Sequence, residues 1–321
     1  MKLATMPNGT PDGRLHIVSR DLRRCQPAEA APTLQAALES WTGVEAALRA
    51  QSDAVNAGAG QPFDIAAALA PLPRAWQWLD GSAFDSHGDL MDAVFGFEKK
   101  EKTGRPLMYQ GVSNQFYAPR ADVRIPTEAD GIDFEGEFGV ITDAVPMGTG
   151  APDARAHIRL VVQINDWSLR KLAPVEMKTG FGWVQAKPPC SMAPVAVTPD
   201  ELGASWRDAR VDLPLLVDWN EQRFGAANGY AMSFGFDQLV AHAAYSRDLV
   251  PGTVIGSGTV SNPNYREIGS SCIAERRGIE TLDLGEPKTA FMAFGDRVRM
   301  QVIDRDGQSV FGAIDQAVVK G

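Results

Sequence analysis

The nine residues Asp133–Ile141, "DFEGEFGVI", combine the alternation of a β-strand with a close pair of like charges. Side chains two positions apart on a strand project from the same face, so a strand here places Glu135 and Glu137 side by side. Two like charges in that arrangement destabilise each other unless a positive group lies between them. A divalent cation is one such group, although an E-x-E pair on a solvent-facing strand edge is ordinary and needs none.

The chain that surrounds this stretch predicts a β-rich body. Short apolar and β-branched runs recur between Gly, Pro and Asp turn signals, and they predict strands in "FGVIT", "RLVVQIND", "MAPVAVT", "LPLLVDWN", "TVIGSGTVS", "IETLDL" and "RVRMQVIDRDGQSVFGAI". The segments "DARAHIRLV" and "SFGFDQLVAHAAYSRD" are predicted as helices. Because the sequence lacks both regular strand and helix alternation and a G-x-G-x-x-G motif, a doubly wound parallel sheet is not expected.

The N-terminal section differs from this body. "MKLATM" and "RLHIVSR" flank the turn "PNGTPDG" and predict a hairpin, and the Ala- and Leu-rich stretch from Pro32 to Asn56 has helical spacing. We therefore expect an α+β fold that is mostly β. It has a small N-terminal α+β domain at residues 1–72 and a larger domain, in which sheets pack on sheets, at residues 73–321.

Composition and charge exclude several classes of partner. The 321 residues carry a formal net charge of -9 and no long Lys/Arg run, so nucleic-acid binding is not expected. No run approaches the roughly 18 apolar residues of a membrane span, and the N-terminus lacks a signal-peptide core, so we expect a cytoplasmic protein without a membrane segment. Cys25, Cys190 and Cys272 have no C-x-x-C spacing and predict buried free thiols in a reducing compartment.

Further acidic residues lie near the ends of predicted strands. The apolar run "RLVVQIND" ends at Asp166, and "WLDGSAFDSH" offers Asp80 among aromatic residues, with His87 seven positions later. Together with the two glutamates, Asp80 and Asp166 would form an all-oxygen site, which suits a hard cation such as Mg²⁺, Mn²⁺ or Ca²⁺.

Five motifs in order resemble the fumarylacetoacetate hydrolase family: "DFEGEFGVI", "INDWSLRKL", "GFGWVQAKPPCSMAPV", "GSGTVS" and "SSCIAE". The resemblance runs from about Trp76 to the C-terminus, and "NDWSLR" is its most specific part. It implies a mixed β-sandwich roll for the larger domain and a homodimer.

The resemblance also implies roles for individual residues. The metal ligands it implies are Asp80, Glu135, Glu137 and Asp166, and the catalytic residues are His87, Glu275, Lys187 and Arg170. In this scheme Glu275 orients His87, which activates water, while Lys187 and Arg170 stabilise the oxyanion. Tyr109 and Thr259 are implied in substrate binding. One position departs from the family, because Ala173 stands where the hydrolase carries a glutamine at the oxyanion site.

The resemblance thus implies an enzyme that cleaves a carbon–carbon bond in a small oxo acid. The expected substrate is a diketo acid such as fumarylacetoacetate, fumarylpyruvate or an acylpyruvate, from the breakdown of aromatic compounds. Because fold and metal do not determine the reaction, decarboxylation, isomerisation or hydration of a 2-oxo acid stays open. A catalytically silent, metal-stabilised protein that only dimerises is a third reading.

Overall fold

Short strands dominate this computed structural model, which describes residues 1–95 and 104–321. The strands in chain order are β1 (Lys2–Met6), β2 (Arg14–Val18), β3 (Arg24–Pro27), β4 (Gln61–Pro62), β5 (Trp78–Ser82), β6 (Leu107–Gly111), β7 (Val123–Ile125), β8 (Ile132–Asp133), β9 (Gly136–Thr142), β10 (Ile158–Asn165), β11 (Ser168–Leu169), β12 (Ser191–Met192), β13 (Val195–Val197), β14 (Trp206–Arg207), β15 (Arg210–Val211), β16 (Pro214–Trp219), β17 (Gln222–Asn228), β18 (Val254–Gly256), β19 (Arg297–Ile303) and β20 (Ser309–Lys320). The α-helices are α1 (Leu34–Glu39), α2 (Trp41–Asn56), α3 (Asp85–Phe95), α4 (Ala151–Ala154), α5 (Ala173–Met177), α6 (Phe236–Ala243), α7 (Tyr265–Ile268) and α8 (Ile273–Leu284). Short 3-10 turns lie at Glu128–Asp130, Arg155–His157, Pro199–Ser205 and Gly229–Ala231. The predicted fold class, mostly β with a small N-terminal domain, is confirmed.

One large sheet runs through both parts of the chain, in the order β4-β3-β2-β1-β13-β10-β9-β18-β5-β6, with β12 also paired to β10. The predicted N-terminal hairpin is present as β1 and β2, and β1 pairs antiparallel with β13. The sheet therefore crosses the predicted boundary at residues 72 and 73, and that division stays a prediction.

The second sheet, in the order β17-β16-β19-β20-β7, packs on one face of the first. Phe138 and Val140 of β9 lie in the same buried cluster as Leu215 and Val217 of β16. On the other face, Ile141 lies in a second cluster with residues of α1 and α2. Alternation along β9 thus places Glu137, four residues before Ile141, on the face away from the second sheet.

Three sequence predictions about helices need correction. "IETLDL" lies in α8 and is not a strand. Its alternating Leu282 and Leu284 are exposed, whereas Glu275, Gly278 and Ile279 are buried at the i, i+3, i+4 spacing of a helix. "DARAHIRLV" was predicted as a helix, but it contains only the end of α4 and the 3-10 turn Arg155–His157, and its last four residues belong to β10. The stretch from Pro32 to Asn56 forms two helices that meet at Ser40.

Among the described residues, no helix combines the length and the apolar character needed to cross a bilayer.

Candidate active site

Strands β5, β9 and β10 bring three carboxylates together. Asp80 lies on β5, Glu137 near the start of β9, and Asp166 directly after β10. Antiparallel pairing of Glu137 with Ile164 places Asp166 beside the start of β9. Oxygen atoms from the three carboxylates lie within 4.8 Å of one another, and all three side chains are buried.

The "GSGTVS" loop leaves room for this cluster. A Cβ at Gly256 would lie 2.4 Å from Asp80 Oδ1, so a larger residue cannot stand there without displacing the carboxylate. Gly258 adopts a positive φ of 77°, a conformation that favours glycine. Its N–H donates to Asp80 Oδ1 over 3.2 Å, so the loop orients one member of the cluster.

The three carboxylates fit a divalent cation. Both oxygens of Glu137 are buried and accept no hydrogen bond from the described residues. A hydrogen bond between the carboxyl groups of Asp80 and Glu137 requires that one of the two is protonated. Burial, reinforced by the neighbouring carboxylates, raises the pKa values of Asp80 and Glu137 well above the ordinary range. A buried all-oxygen cluster that lacks donors is the environment a hard cation stabilises.

Glu135 lies outside this group of three. Its carboxylate accepts from Arg170 Nη2 at 2.5 Å and from Lys187 Nζ at 2.7 Å. Burial alone would raise the pKa of Glu135, but the adjacent Arg170 and Lys187 cations outweigh it and lower the pKa. Its role as a metal ligand therefore stays a prediction.

Lys187 connects Glu135 to the cluster. In addition to Glu135, its Nζ donates to Asp166 Oδ2 at 2.6 Å and to Ser168 Oγ at 2.8 Å. The Tyr109 hydroxyl donates to the same Asp166 oxygen at 2.8 Å. Burial disfavours the ammonium, but the carboxylates outweigh it and raise the pKa of Lys187, which is therefore charged.

Asp133 belongs to the site although the sequence analysis did not select it. Its carboxylate accepts from Arg170 Nε at 2.7 Å and from the N–H groups of Ile273 and Ala274 at the start of α8. Asp133 therefore positions both Arg170 and the helix that carries Glu275. Extending the i, i+2 pattern of the glutamates back by one step would have found it.

His87 and Glu275 face each other from α3 and α8. His87 Nδ1 lies 3.7 Å from Glu275 Oε1, longer than a hydrogen bond. The same carboxylate oxygen accepts from Ser261 Oγ at 2.5 Å, and Ser86 Oγ donates to Ser261 at 2.9 Å. The sequence analysis selected neither serine, because no motif spacing indicates their contact.

One cavity of about 270 Å³ joins these groups. Eight of the ten residues selected from the sequence line it: Asp80, His87, Tyr109, Glu135, Glu137, Arg170, Lys187 and Thr259. Asp166 and Glu275 lie behind this wall, in contact with Lys187 and opposite His87 respectively. Ala173 also lines the cavity, so the substituted glutamine position is part of the site.

The three cysteines are free and buried, as predicted. Cys190 also contacts the carboxylate cluster, because its Sγ donates a hydrogen bond to Asp166 Oδ1 over 3.0 Å. Burial raises the pKa of the Cys190 thiol well above its usual value, so the sulfur keeps its proton.

Comparison with known proteins identifies the family. Residues 77–319 match the family described as fumarylacetoacetate (FAA) hydrolase C-terminal, and residues 1–74 match fumarylacetoacetase N-terminal domain 2. The chain belongs to the fumarylacetoacetate hydrolase family. The resemblance drawn from sequence motifs is confirmed.

Individual relatives are more distant. A 2,4-didehydro-3-deoxy-L-rhamnonate hydrolase from Sphingomonas sp. (strain SKA58) is 27% identical over 157 residues, which is 48% of this chain and 52% of the relative. The match thus spans about half the length of that curated relative. The maleylpyruvate hydrolase from Sphingobium sp. SYK-6, solved with manganese(II) and pyruvate, superimposes over 100% of both chains with a TM-score of 0.67 and 17% identity. A 5-carboxymethyl-2-hydroxymuconate delta-isomerase from Mycobacterium smegmatis gives 0.62 and 18% over 100% of this chain and 99% of that chain. Likeness at this level of identity establishes the fold alone.

Proposed function

We propose that the protein is a metal-dependent hydrolase that cleaves a carbon–carbon bond in a diketo acid of the fumarylacetoacetate, fumarylpyruvate or acylpyruvate kind. The observation that carries this proposal is a cavity lined by Asp80, Glu137 and His87, with Asp166 directly behind its wall beside the two carboxylates and Glu275 behind it opposite His87. The manganese and pyruvate bound by the maleylpyruvate hydrolase support it, as does the hydrolase activity named for the Sphingomonas relative.

The carboxylates of Asp80, Glu137 and Asp166, with Glu135 beside them, would hold the divalent cation. When bound, Mg²⁺, Mn²⁺ or Ca²⁺ supplies Lewis-acid polarisation and a fixed position for adjacent substrate oxygens. Tyr109 and Thr259, also at the cavity wall, are placed to contact the substrate.

His87 acts as the general base. Its ring accepts a proton from water, whose oxygen adds to the carbonyl carbon farther from the substrate carboxylate. Glu275 fixes the tautomer of His87 and stabilises the imidazolium, after the 3.7 Å separation closes to a hydrogen bond in the substrate complex.

Lys187 and Arg170 donate to the oxygen that becomes negative. Removal of one such donor typically costs about 3–4 kcal/mol of transition-state stabilisation. The bond between the carbon that carries this oxygen and the carbon between the two carbonyl groups then breaks. Its electron pair stays on the 2-oxo acid fragment. That fragment takes up the proton held by His87, so the products are a carboxylic acid and a 2-oxo acid.

A second candidate is decarboxylation, isomerisation or hydration of a 2-oxo acid. Two observations favour it: Ala173 offers no amide at the cavity wall, and His87 stands beyond hydrogen-bond distance of Glu275. The isomerase among the structural relatives shows that the fold also serves such a reaction.

A steady-state screen separates these readings. Purified protein with Mg²⁺, Mn²⁺ or EDTA is tested on fumarylacetoacetate, fumarylpyruvate, acylpyruvates and oxaloacetate. His87→Ala is tested in parallel, with His242→Ala as a matched histidine control outside this cavity. We expect metal-dependent cleavage of a diketo acid that falls about 10²–10⁴-fold in His87→Ala only. Turnover of oxaloacetate alone, unchanged in His87→Ala, would refute hydrolysis. Metal binding without any turnover would support the silent protein.

We also propose a homodimer, which the family resemblance supports, and a cytoplasmic location, which the three free thiols support. Sedimentation equilibrium of the full chain tests the dimer.

A further inference from the structure

Two buried atoms of the His87 and Glu275 pair accept or donate no hydrogen bond among the described residues. They are His87 Nδ1 and Glu275 Oε2. The separation of 3.7 Å between His87 Nδ1 and Glu275 Oε1 is too long for a hydrogen bond. Glu275 has no exposed surface, and a buried carboxylate is costly unless donors surround it. The geometry of the pair therefore depends on another group that holds the carboxylate.

Ser261 is that group, and Ser86 stands behind it. Ser261 Oγ donates to Glu275 Oε1 over 2.5 Å, and Ser86 Oγ lies 2.9 Å from Ser261 Oγ. A hydroxyl carries one hydrogen, whereas an ionised carboxylate only accepts. Because the Ser261 hydrogen goes to Glu275, the Ser86 hydrogen must go to Ser261. The three side chains thus form a chain of hydrogen bonds with one direction, from Ser86 through Ser261 to Glu275.

The backbone is fixed at both ends of the bond between Ser261 and Glu275. Asn262 Nδ2 donates to the Ser261 carbonyl over 2.8 Å and to the Asn228 carbonyl, at the end of β17, over 2.9 Å. On the other side, the Glu275 N–H donates to Cys272 Sγ over 3.3 Å at the start of α8. What stays adjustable is the set of side-chain torsions of Glu275, and the Ser261 hydroxyl selects among them.

The same chain of hydrogen bonds also reaches His87. Ser86 and His87 are neighbours in the first turn of α3, while Glu275 lies in the first turn of α8. The bond from Ser86 to Ser261 therefore ties the turn that carries the imidazole to the loop that holds the carboxylate. Ser261 orients Glu275 directly, and Ser86 orients His87 through the backbone of α3.

We propose that Ser261 and Ser86 are positioning residues of the reaction. Ser261 holds the Glu275 carboxylate so that it faces His87 Nδ1, and Ser86 fixes the direction of the Ser261 hydroxyl. This inference rests on the proposed function, in which Glu275 sets the tautomer of His87. It extends the pair to a chain of four side chains.

Steady-state kinetics with the diketo acid cleaved fastest by the Mn²⁺-loaded protein tests the inference. Ser261→Ala should lower kcat about 10- to 100-fold, because a hydrogen bond to a charged group is lost. KM should stay nearly constant, since Ser261 does not line the cavity. Ser86→Ala should have a smaller effect, about 3-fold, because Ser261 still reaches Glu275. An unchanged kcat in Ser261→Ala, or a change confined to KM, would overturn the inference.

Two comparisons separate positioning from a general loss of structure. Ser270 is equally buried, and its Oγ has no hydrogen-bond partner among the described residues, so Ser270→Ala is the matched control and should change neither kcat nor KM. In a His87→Ala background, Ser261→Ala should lower kcat no further, because Ser261 acts through the pair. Losses that add in the double variant would indicate a structural role and reject positioning.

Nuclear magnetic resonance separates the inference from the function on which it rests. The probe is Mg²⁺ with oxalate, which offers the adjacent oxygens of a 2-oxo acid. Long-range ¹H–¹⁵N spectra report the ring nitrogens of the four histidines, and His87→Ala assigns the His87 signals. His157, whose Nδ1 lies 2.7 Å from Asp143 Oδ1, is the internal reference.

We expect the Nδ1–H tautomer of His87 in the wild type and in Ser270→Ala, and a mixture of tautomers in Ser261→Ala. The same tautomer in all three proteins would refute positioning, whether or not a diketo acid is cleaved. If the wild type cleaves no diketo acid but the tautomer still changes in Ser261→Ala, hydrolysis fails and the positioning stands.

Discussion

Replacement of Lys187 by Met tests the electrostatics of the site most directly. The Lys187 side chain is 8% exposed, and its ammonium lies within 2.8 Å of oxygen atoms of Glu135, Asp166 and Ser168. Loss of one partner of a buried ion pair costs about 3–5 kcal/mol, because a charge remains buried without compensation. Glu135 keeps Arg170, and Asp166 keeps the Tyr109 hydroxyl and the Cys190 thiol, so we expect the lower end of that range.

Metal should reverse this loss. In the wild type, Lys187 holds an oxygen of Asp166, one of the three carboxylates of the cluster, and its charge repels an incoming cation. Lys187→Met removes this competitor, so a divalent ion should bind more tightly and restore stability. Activity should nevertheless fall about 10²–10³-fold, because the oxyanion loses a donor.

The assay is thermal unfolding by calorimetry, in EDTA and in saturating Mn²⁺. In EDTA, Lys187→Met should unfold roughly 4–5 °C below the wild type, because a chain of 321 residues loses about 1.5 °C for each kcal/mol. The rise in Tm on adding Mn²⁺ should be larger in the variant than in the wild type. Lys178→Met, an exposed lysine nearby in the chain, is the control and should change neither value. An Mn²⁺-induced rise no larger than that of the wild type would refute the reasoning.

Two further predictions concern buried donors to which the sequence analysis assigned no role in the site. Cys190→Ala removes the thiol that orients Asp166, so the Mn²⁺ affinity measured by calorimetry should fall about 10-fold or more. Cys190→Ser keeps a donor at this position and should restore the affinity. Equal affinities in the two variants would contradict a positioning role. Burial of Lys2 lowers its pKa from 10.5 to about 8. The unfolded chain therefore holds this proton more tightly between pH 8 and 10.5, and the free energy of unfolding gains up to about 3 kcal/mol over that window relative to Lys2→Met. Parallel curves for the two proteins in urea titrations would exclude this effect.

Local patterns predicted the parts of the fold in which alternation and burial agree. β9 has Glu137 at its second position and β10 is an apolar run that Asp166 directly follows, so both strands and their acidic residues were visible in the sequence. Alternation failed at "IETLDL", which lies in a helix whose buried residues Glu275, Gly278 and Ile279 follow the i, i+3, i+4 spacing. α3, which carries His87, was missed because the apolar residues of "DSHGDLMDAVF" follow a polar first half, "DSHGD", and show no helical repeat along the whole stretch. The pairing of β1 with β13 joins residues far apart in sequence and left no local signal.

Residues that orient the site were harder to predict than residues that would perform the chemistry. The family resemblance implies roles for Glu275 and Lys187. Cys190, Ser168 and Ser261 lie in the same motifs without an implied role, and only the fold brings them to Asp166, Lys187 and Glu275. Nothing in their spacing indicates those contacts. Their value depends on tertiary distances, which a single sequence does not contain.

The carboxylates of the two glutamates in "DFEGEFGVI" are compensated in different ways. Glu135 receives Arg170 and Lys187, so the chain itself compensates its carboxylate. Glu137, two residues later, receives no donor among the described residues, and its neighbours are the carboxylates of Asp80 and Asp166. The stretch is therefore not a symmetric pair of ligands. The ionised form of Glu137 depends on an added cation, whereas that of Glu135 does not, and this difference is what a motif of two identical letters conceals.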